Sequence, residues 1–495
     1  MPTPDLRAIS LRRLFPTASF IGCGDIAVGS VTDRHDQCAP GDLFAVIRGS
    51  RFDGTRFVPA AVAAGATSVL VDRPLVGVNV PQCVVPDVRA AFSRLCLALK
   101  GNPQRNLHIT GVTGTNGKTT VTWLIRAITQ AASRSCGVVG TIEYSNGNDV
   151  LPASLTTPGP TDFADLTAEM VQLGTTHAAV ELSSHALHQQ RLAGLTLNAA
   201  VVTNITQDHF DYHENQESYR AAKARIADHC LPDAPIIVNA DDEGCQQLVE
   251  RFQSRNLVSF GLNPGAASRG IVIEATPGST VVRFEVLGEV FEARLNLIGR
   301  HNVSNCVAAA TVAHLAGVSG ELIAAGLSSL RCVPGRLQSI DRGQSFRVFV
   351  DYAHTPDAVS QVIAALRPTT AKRLICVVGA GGDRDSSKRP QLGTAASQAD
   401  IVVVTSDNPR SENPAEIAAA VQDGVTADLC RVELDRAAAI RWAIETAEPG
   451  DCVLLAGKGH ENTQQIGNTT VPFDDREVAA AVLSSIRTNA TTRAA

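Results

Sequence analysis

The stretch Thr113-Gly114-Thr115-Asn116-Gly117-Lys118-Thr119-Thr120 lies between a short apolar run, 107–112, and a helical pattern that starts near Lys118. A glycine-rich turn between a strand and a helix presents backbone N–H groups at the helix N-terminus, where they bind phosphate. In such a turn Lys118 reaches the β- and γ-phosphate oxygens, and the Thr119 hydroxyl ligates Mg²⁺. The stretch therefore predicts an α/β fold in which a nucleoside triphosphate binds at the edge of the sheet.

The turn departs from the pattern G-x-x-x-x-G-K-[ST], because the residue five positions before Gly117 is Val112. A βα turn that merely needs small residues is the alternative, but it gives no reason for Lys-Thr at the helix start. The expected nucleotide contacts are Gly114, Thr115, Asn116, Gly117, Lys118, Thr119 and Thr120.

Length and composition predict a soluble globular chain. Its 495 residues suggest about three domains, and 44% hydrophobic residues are enough for each to bury a core. The net charge of −6 argues against nucleic acid as a partner, because binding a phosphate backbone needs clustered Lys and Arg. The 12 cysteines lack zinc spacing and indicate small buried side chains in a reducing compartment. Without a recognisable signal peptide or membrane span, we expect a cytoplasmic protein, and we expect a monomer.

Short apolar runs alternate with helical patterns, which is typical of parallel sheets covered by helices. Strands are predicted at 43–47, 68–71, 83–85, 107–112, 177–182, 199–204, 235–239, 348–351, 374–378, 401–405 and 452–456. Helices are predicted at 58–64, 90–99, 121–132, 302–316 and 321–330, with an antiparallel patch between 271 and 298.

Two breaker clusters divide this pattern, Gly101-Asn102-Pro103-Gln104 and Pro334-Gly335. We therefore predict an α/β protein of three domains. A smaller N-terminal α/β domain spans 1–105. A central domain at 106–334 contains a P-loop-type, mainly parallel sheet flanked by helices, and a Rossmann-like α/β domain spans 335–495.

Two predicted strand ends in the central domain carry groups that suit a metal ion. Glu181 lies at the end of the strand 177–182, and His209 follows the strand 199–204. Since the carboxyl ends of parallel strands meet at one crevice, Thr119, Glu181 and His209 are expected to share Mg²⁺ with the nucleotide. The alternatives are a solvated loop carboxylate for Glu181 and a packed loop histidine for His209.

A set of motifs along nearly the whole chain resembles the Mur ligase family of peptidoglycan synthesis. The motifs are Thr113 to Thr120, Thr156-Thr157-Pro158, Glu181 to His185 with Arg191, Thr203 to His213, Tyr219 to Lys223, Gly299-Arg300-His301-Asn302, Pro334-Gly335-Arg336 and Asp351-Tyr352-Ala353-His354-Thr355-Pro356. The family's Gly-x-x-Gly-Lys-Thr turn also accounts for the departure noted above. Within the family, the chain is most similar to the ligases that add the third amino acid to UDP-N-acetylmuramoyl-L-alanyl-D-glutamate.

The resemblance implies an ATP-dependent ligase of cell wall biogenesis, and hence a role in cell shape and cell division. Such an enzyme converts a substrate carboxylate into an acyl phosphate, which an incoming amine attacks. Because two anions must approach each other, Mg²⁺ and fixed cations are needed at the transferring phosphoryl group. The implied catalytic residues are Lys118, Glu181, His209 and Lys223. The resemblance makes Lys223 a carbamate that ligates a second Mg²⁺, whereas the residues alone indicate an ordinary helix-surface lysine.

The resemblance also assigns the remaining contacts to the nucleotide and to the UDP-linked substrate. The implied ATP contacts outside the turn are Asn302, beside His301, with Arg336, Asp351 and His354, which would place ATP between the second and third domains. The implied substrate contacts are Thr156, Thr157, Ser183, Gln189 and Arg191. Helix-cap and turn roles are the alternative for Thr156 and Ser183.

The first domain departs from the family at its uridine site. Thr32-Asp33-Arg34 stands where the family usually has Asp-Ser-Arg, so an acid replaces a hydroxyl and Asp33 would repel a diphosphate that faced it. The resemblance nevertheless makes Asp33 an expected contact of the UDP-linked substrate. The patterns Pro40-Gly41-Asp42-Leu43-Phe44 and Asp53-Gly54 indicate a uridine-nucleotide domain through the same resemblance.

The last domain contains Asp407-Asn408-Pro409-Arg410, a motif that accompanies meso-2,6-diaminopimelate in the resembling ligases, whereas lysine-adding relatives usually lack the arginine. Diaminopimelate has a second carboxylate, which a guanidinium binds with two hydrogen bonds. Lysine would leave Arg410 unpaired, at a cost of about 1 to 3 kcal/mol. Arg384, Gly457 and Glu461 are further implied contacts, and Glu461 complements the ammonium. A plain βα turn is the alternative for this motif.

Several functions therefore remain open. The leading one is a ligase that adds diaminopimelate, and a lysine-adding ligase of the same family is its nearest alternative. A folylpolyglutamate synthase is similar in the central and last domains, but the full-sized first domain and Arg410 weigh against it. A nucleotide-dependent switch that makes no covalent product would leave the substrate-side residues unexplained.

Overall fold

In the computed structural model, which describes residues 8–49, 53–208, 210–276 and 278–494, three mainly parallel sheets follow one another along the chain. Their inner strands are continuous apolar runs, such as Leu374–Val378 and Ile401–Val404, in which every residue is buried. Such runs are expected where helices cover both faces of a sheet. The predicted α/β class with a mainly parallel central sheet is confirmed.

The N-terminal sheet has five strands among the described residues. Their spatial order is Ser19–Ile21, Gln82–Val84, Ser68–Val71, Leu43–Ala45, Val31–Thr32, and only the first pair is antiparallel. Its helices are Leu11–Leu14, Val58–Ala63 and Val88–Leu99, and Ile9–Ser10 pairs separately with Ala27–Val28. Helix Val88–Leu99 packs against Pro160–Gln172 of the central region, so the two regions share a core. The boundary at residue 105 stays a prediction, as does that at 334.

The central sheet has eleven strands in the described part of the chain. Their spatial order is Val150–Pro152, Glu143–Ser145, Cys136–Val139, His177–Glu181, His108–Thr113, Ala199–Val202, Pro235–Asn239, Asn256–Gly261, Ser268–Ala275, Thr280–Val286, Glu289–Leu295. The strands from Cys136–Val139 to Ser268–Ala275 are parallel to one another. At each end of the sheet, the last two strands each pair antiparallel with their inner neighbour. The predicted antiparallel patch is therefore an extension of the central sheet.

Helices cover both faces of this sheet. They are Lys118–Ala131, Pro160–Gln172, Ser184–His188, Phe210–His213, Gln216–Ala224, Glu243–Val249, Arg300–Leu315 and Gly320–Ser329. Helix Lys118–Ala131 buries Val121, Leu124, Ile125 and Ile128, whose spacing forms one helical face. That face packs against Arg300–Leu315 and Gly320–Ser329. The contact anchors the helix behind the predicted phosphate-binding turn, residues 113–120, which we call the phosphate turn.

The C-terminal sheet has the spatial order Gln338–Ser339, Arg347–Asp351, Cys452–Ala456, Leu374–Val378, Ile401–Val404, Leu429–Val432, with only the first pair antiparallel. Its helices are Pro356–Leu366, Lys388–Ala396, Pro414–Gln422, Arg436–Thr446 and Asp475–Ala494. A separate hairpin, Thr463–Ile466 with Thr469–Pro472, lies beside the end of Ile401–Val404 and contacts Arg410.

None of the 12 cysteines forms a disulfide. Most are at least partly buried, as expected for small apolar side chains, but Cys332 and Cys430 are exposed. No helix in the described ranges is long and apolar enough to cross a membrane.

Candidate active site

Three neighbouring strands of the central sheet end at one crevice. His108–Thr113 lies between His177–Glu181 and Ala199–Val202, and all three are parallel. Their carboxyl ends bring together the phosphate turn, Glu181 and the loop that begins at Thr203. Open parallel sheets bind ligands at this position.

The phosphate turn needs glycine at two positions. Gly114 has φ 146° and Gly117 has φ 88°, and a Cβ atom on Gly114 would collide with the hydroxyl of Thr203. That hydroxyl donates to the Asn116 carbonyl at 2.6 Å, so the neighbouring strand supports the turn. Because helix Lys118–Ala131 begins directly after Gly117, its free N–H groups lie at the crevice.

Lys118 lies over the turn. Its Nζ atom donates hydrogen bonds of 2.9 Å to the carbonyls of Gly114 and Thr115. Burial lowers the pKa of the Lys118 ammonium, and the carboxylates of Glu181 and Asp208 act in the opposite direction. The side chain therefore holds a cation at the place where phosphate oxygens are expected, although its contact with phosphate stays a prediction.

Glu181 is fully buried, which excludes a solvated loop carboxylate. Its Oε2 atom accepts from the hydroxyls of Thr119 at 3.1 Å and Thr141 at 2.9 Å, and Oε1 accepts from the Thr141 N–H at 2.9 Å. Carboxylate and hydroxyl oxygens are the ligands that Mg²⁺ prefers. Thr119 and Glu181 therefore fit this ion.

The rest of the predicted metal set is not assembled in the described part of the chain. His209 lies outside the described residues, and no group of three or more His, Cys, Asp or Glu side chains within them is arranged to hold a metal ion. Lys223 is 1% exposed, and its Nζ donates to the Gly114 carbonyl at 2.7 Å. Burial, helped by the nearby Lys118, holds the pKa of the Lys223 amine well below its ordinary value. Lys223 is thus no helix-surface lysine and contacts the phosphate turn directly.

A cleft of about 1000 Å³ extends from the phosphate turn to the C-terminal region. The predicted ATP contacts Asn302, Arg336, Asp351 and His354 all line it, as does His301. Arg336 donates to the Thr119 hydroxyl at 3.1 Å, while its guanidinium lies 4.7 Å from the centre of the Tyr352 ring. The cleft is therefore built from both sides of the predicted boundary at residue 334.

Asp351 organises the C-terminal wall of this cleft. Its carboxylate accepts from the N–H groups of Leu337 at 2.6 Å and Ala353 at 2.7 Å. Burial raises the pKa of Asp351, although the nearby Arg336 acts against this shift. The carboxylate thus holds the backbone directly after Arg336 and directly after Tyr352.

The predicted substrate contacts on the central domain form one hydrogen-bonded group. Thr156 accepts from the Thr141 hydroxyl at 3.1 Å, and the Thr157 hydroxyl donates to the Glu181 carbonyl at 2.7 Å. Arg191 donates to the Thr157 carbonyl at 3.1 Å and to Gln189 Oε1 at 3.0 Å. Ser183 accepts from the Ala186 N–H at 3.2 Å, so its capping role is present as well.

Asp33 lies in a second cleft, of about 1210 Å³, between the N-terminal and central regions. Gln189 and Tyr212 line the same cleft from the central side, and Gln189 donates to the Tyr212 hydroxyl at 3.0 Å. Arg34 forms its ion pair with Asp36 at 2.8 Å. Contact between Asp33 and a substrate stays a prediction.

The C-terminal motif opens onto a third cleft, of about 960 Å³, which shares Asp208, Tyr352 and His354 with the nucleotide cleft. Six of the seven predicted diaminopimelate contacts line it: Arg384, Asp407, Asn408, Arg410, Gly457 and Glu461. Pro409 belongs to the same loop but does not line the cleft. The two clefts are therefore neighbours with a common wall.

Arg410 is held in an unusual backbone conformation. Its φ is 51°, a region that costs a non-glycine residue about 1 kcal/mol or more, and hydrogen bonds to Gln465 and Gly467 keep it there. Its Nη1 donates to the Gly382 carbonyl at 2.6 Å. Burial lowers the pKa of Arg410, and the adjacent Arg384 adds to this effect. Both guanidinium groups thus line the same cleft, near enough for their charges to interact.

Glu461 already has partners within the protein. It accepts from Lys458 Nζ and from Asn408 Nδ2, both at 2.9 Å, and Lys458 is fully buried. Lys458 therefore already neutralises part of the negative charge of Glu461. A substrate ammonium at the predicted position would share the Glu461 carboxylate with Lys458.

Several residues that sequence reasoning missed join the clefts. Thr141 supplies two of the hydrogen bonds to Glu181, and Asp357 accepts from Asn116 in the phosphate turn at 3.1 Å. Lys388 forms an ion pair with Asp208 at 2.9 Å. Asp357 and Lys388 lie within a few residues of motifs that the sequence singled out, but no local pattern indicates their distant partners.

Three family models match the chain. Residues 36–98 match the one described as Mur ligase family, catalytic domain, residues 112–313 the Mur ligase middle domain, and residues 335–459 the Mur ligase, glutamate ligase domain. A Geobacillus thermodenitrificans protein named UDP-N-acetylmuramoyl-L-alanyl-D-glutamate--2,6-diaminopimelate ligase is 40% identical over 475 residues, which cover 94% of this chain and 96% of that protein. The chain belongs to the Mur ligase family.

Two further relatives of this family member carry the same enzyme name. A Gloeobacter violaceus protein is 41% identical over 470 residues, 94% of this chain and 95% of its own. A solved structure of a ligase so named is 31% identical, with a TM-score of 0.68, and covers 97% of this chain and 99% of its own. The predicted family is confirmed over nearly the full length.

Proposed function

We propose that this Mur ligase family member is an ATP-dependent amide ligase that joins meso-2,6-diaminopimelate to UDP-N-acetylmuramoyl-L-alanyl-D-glutamate in peptidoglycan precursor synthesis, as a cytoplasmic monomer. The observation that carries the proposal is the pair of Arg384 and Arg410 in a cleft next to the phosphate turn. Among the described residues, both guanidinium groups donate to backbone carbonyls and neither forms an ion pair. A substrate carboxylate would give both guanidinium groups a direct ionic partner.

The reaction would proceed in two steps. ATP transfers its γ-phosphoryl group to a carboxylate of the muramoyl dipeptide, which gives an acyl phosphate and ADP. The amine of diaminopimelate then attacks the carbonyl carbon, the new C–N bond forms as the C–O bond to phosphate breaks, and the nitrogen gives up a proton. Lys118 and Arg336, both beside Thr119, would hold positive charge at the transferring phosphoryl group.

Thr119 and Glu181 would hold Mg²⁺, with His209 and a carbamate on Lys223 completing the ligands. Bound there, the ion would neutralise the charge that builds up on the phosphate oxygens. Support for the carbamate comes from burial, which lowers the pKa of Lys223 and so favours the neutral amine. A neutral amine is the form that reacts with carbon dioxide.

The muramoyl dipeptide would lie along Thr156, Thr157, Ser183, Gln189 and Arg191, with its uridine end in the cleft of Asp33. This route joins the N-terminal cleft to the nucleotide cleft, because Gln189 lines the former and Thr156 the latter. A folylpolyglutamate synthase would leave the cleft at Asp33 without a role, and a nucleotide switch would leave the cleft of Arg384 and Arg410 without one.

The test supplies ATP, Mg²⁺ and the UDP-muramoyl dipeptide with either meso-diaminopimelate or L-lysine, and identifies the product by mass spectrometry. The diaminopimelate adduct is expected, with one ADP formed per adduct. A lysine adduct formed equally fast would overturn the argument from Arg410. ADP release without any adduct would instead favour the switch.

A further inference from the structure

A largely buried ion pair joins the cleft that contains Arg384 and Arg410, the amino-acid cleft, to the cleft at the phosphate turn, the nucleotide cleft. Lys388 Nζ lies 2.9 Å from Asp208 Oδ1 and 3.9 Å from Asp385 Oδ2. The side chains of Lys388 and Asp208 are only 15% and 11% exposed. Lys388 begins helix Lys388–Ala396 of the C-terminal region, whereas Asp208 belongs to the loop after strand Ala199–Val202 of the central region.

The position of this ion pair relates it to the reaction. Asp208 lines both clefts, and Lys388 lines the one that contains Arg384. Asp385, the second carboxylate beside Lys388, follows Arg384 in the chain and accepts from the Ser387 hydroxyl and N–H. Lys388 therefore connects the loop of Arg384 with the loop of Asp208, which leads to the predicted metal ligand His209.

We infer that Lys388 is a positioning residue that fastens the C-terminal domain over the nucleotide cleft while the acyl phosphate exists. This inference rests on the ligase function proposed above. Arg336 with Thr119, and Asp357 with Asn116 and Thr206, also cross between the two regions, but these are hydrogen bonds of 3.1 to 3.4 Å in which one partner is neutral. Among the described residues, Lys388 with Asp208 is the only pair across this boundary in which donor and acceptor carry opposite charges, so Coulomb attraction adds to its hydrogen bond.

The chemistry needs such a closure because two nucleophiles compete for one carbon atom. If the amine attacks the acyl carbonyl carbon, a C–N bond forms, phosphate leaves and the nitrogen loses a proton. If water attacks the same carbon, a C–O bond forms, phosphate leaves, and the original carboxylate returns with the loss of a proton. The second route consumes ATP without product, so the gap between the clefts must stay closed to water.

The test compares Lys388→Met with Lys372→Met, which removes a lysine from an exposed ion pair with Glu448 within the C-terminal region. ADP and tripeptide are measured in the same reaction. Lys388→Met should release several ADP molecules per tripeptide and form tripeptide about tenfold more slowly, because removing one member of a buried charge pair is costly. Its ATP affinity should stay unchanged. Lys372→Met should keep one ADP per tripeptide, and Lys388→Arg, which retains the charge, should restore most of the coupling.

One outcome would overturn the inference directly. If Lys388→Met keeps one ADP per tripeptide and raises only the KM for diaminopimelate, Lys388 contacts the amino acid and does not hold the domains together. A folding defect in Lys388→Met would lower both its Tm and its ATP affinity. Extra ADP release by a variant that is folded and binds ATP supports the positioning role.

A second measurement separates this inference from the proposed function. Small-angle X-ray scattering of the full chain with ATP and Mg²⁺ reports closure without any amide product. Lys388→Met should have a larger radius of gyration than the wild type and than Lys372→Met. An unchanged radius would contradict the positioning role even if the wild type proved to be a different kind of ligase. A wild type that forms no tripeptide would instead contradict the proposed function.

Discussion

Arg336 donates a hydrogen bond of 3.1 Å to the hydroxyl of Thr119, although the two residues lie in regions built on different sheets. Thr119 lies in the first turn of the helix that follows the phosphate turn, and Arg336 follows Pro334-Gly335, where the last region begins. A nucleotide in the cleft would therefore contact both regions at once. In the proposed ligase this contact would link phosphoryl transfer to domain closure.

Replacement of Arg410 by alanine should weaken the use of diaminopimelate. Loss of a charge-assisted hydrogen-bonded contact costs about 2 to 3 kcal/mol, so the KM for diaminopimelate should rise roughly 30- to 150-fold. ATP affinity should stay within about twofold, because Arg410 does not line the nucleotide cleft. Steady-state kinetics with each substrate varied provide the measurement.

The matched control for that experiment is Arg431→Ala, which removes an exposed arginine from Leu429–Val432, an edge strand of the C-terminal sheet. It should leave both constants unchanged. Equal losses of ATP and diaminopimelate binding in Arg410→Ala would mean that Arg410 mainly supports the hairpin Thr463–Ile466, to which its backbone is bonded.

Lys118→Ala should abolish turnover with either amino acid. The ammonium lies between the phosphate turn and the carboxylate of Glu181, where it would stabilise the transferring phosphoryl group. Removal of such a cation is expected to lower kcat about 10³-fold or more. Lys100→Ala, which breaks an exposed ion pair with Asp165, should retain full activity. Substantial activity in Lys118→Ala would place the phosphates elsewhere.

His301 should make stability depend on pH. Burial lowers the pKa of His301 to about 4. In the unfolded chain the pKa is about 6.5, so protonation favours unfolding as the pH falls from about 6.5 to about 4 and has no further effect below that range. His301→Gln should reduce the loss of unfolding free energy between pH 7.5 and pH 5 by roughly 2 kcal/mol. Denaturant titrations of the wild type and of His301→Gln at pH 7.5 and at pH 5 test this. Parallel losses in both proteins would exclude His301 as the cause.

Asp475→Asn should strongly destabilise the C-terminal region. Asp475 and Arg436 form a fully buried ion pair through two hydrogen bonds of 2.7 and 2.8 Å. The change leaves a buried guanidinium without its counter-charge, which costs about 3 to 5 kcal/mol. Asp36→Asn, which breaks the exposed pair with Arg34, should cost less than about 1 kcal/mol. Thermal unfolding of both variants measures the two losses of stability. Similar Tm values would contradict the prediction that the buried ion pair matters more than the exposed one.

The pair of Asp475 and Arg436 also supports the amino-acid cleft. Arg436 donates to the Ala456 carbonyl at 2.9 Å, directly before Gly457, which lines that cleft. Diaminopimelate binding should therefore weaken in Asp475→Asn even at temperatures where the protein remains folded.

Buried strands and the phosphate turn were predictable because their signals are local. The predicted strands 235–239, 374–378 and 452–456 match Pro235–Asn239, Leu374–Val378 and Cys452–Ala456 residue for residue. Edge strands such as Val150–Pro152 and Leu429–Val432 were missed, because they are only three and four residues long and all their residues are exposed. Such strands form because a neighbouring strand offers free N–H and C=O groups.

The sequence by itself determined the α/β class, the phosphate turn with Lys118 and Thr119, and the motif that ends in Arg410, because each depends on neighbouring residues and their intrinsic conformations. Only the tertiary structure decided that Lys388 meets Asp208, 180 positions away, and that Asn116 meets Asp357, 241 positions away. A lysine or an aspartate has no intrinsic preference for one distant partner. The packing of the sheets and their helices brings these side chains together, and partial burial then shields their contacts from water.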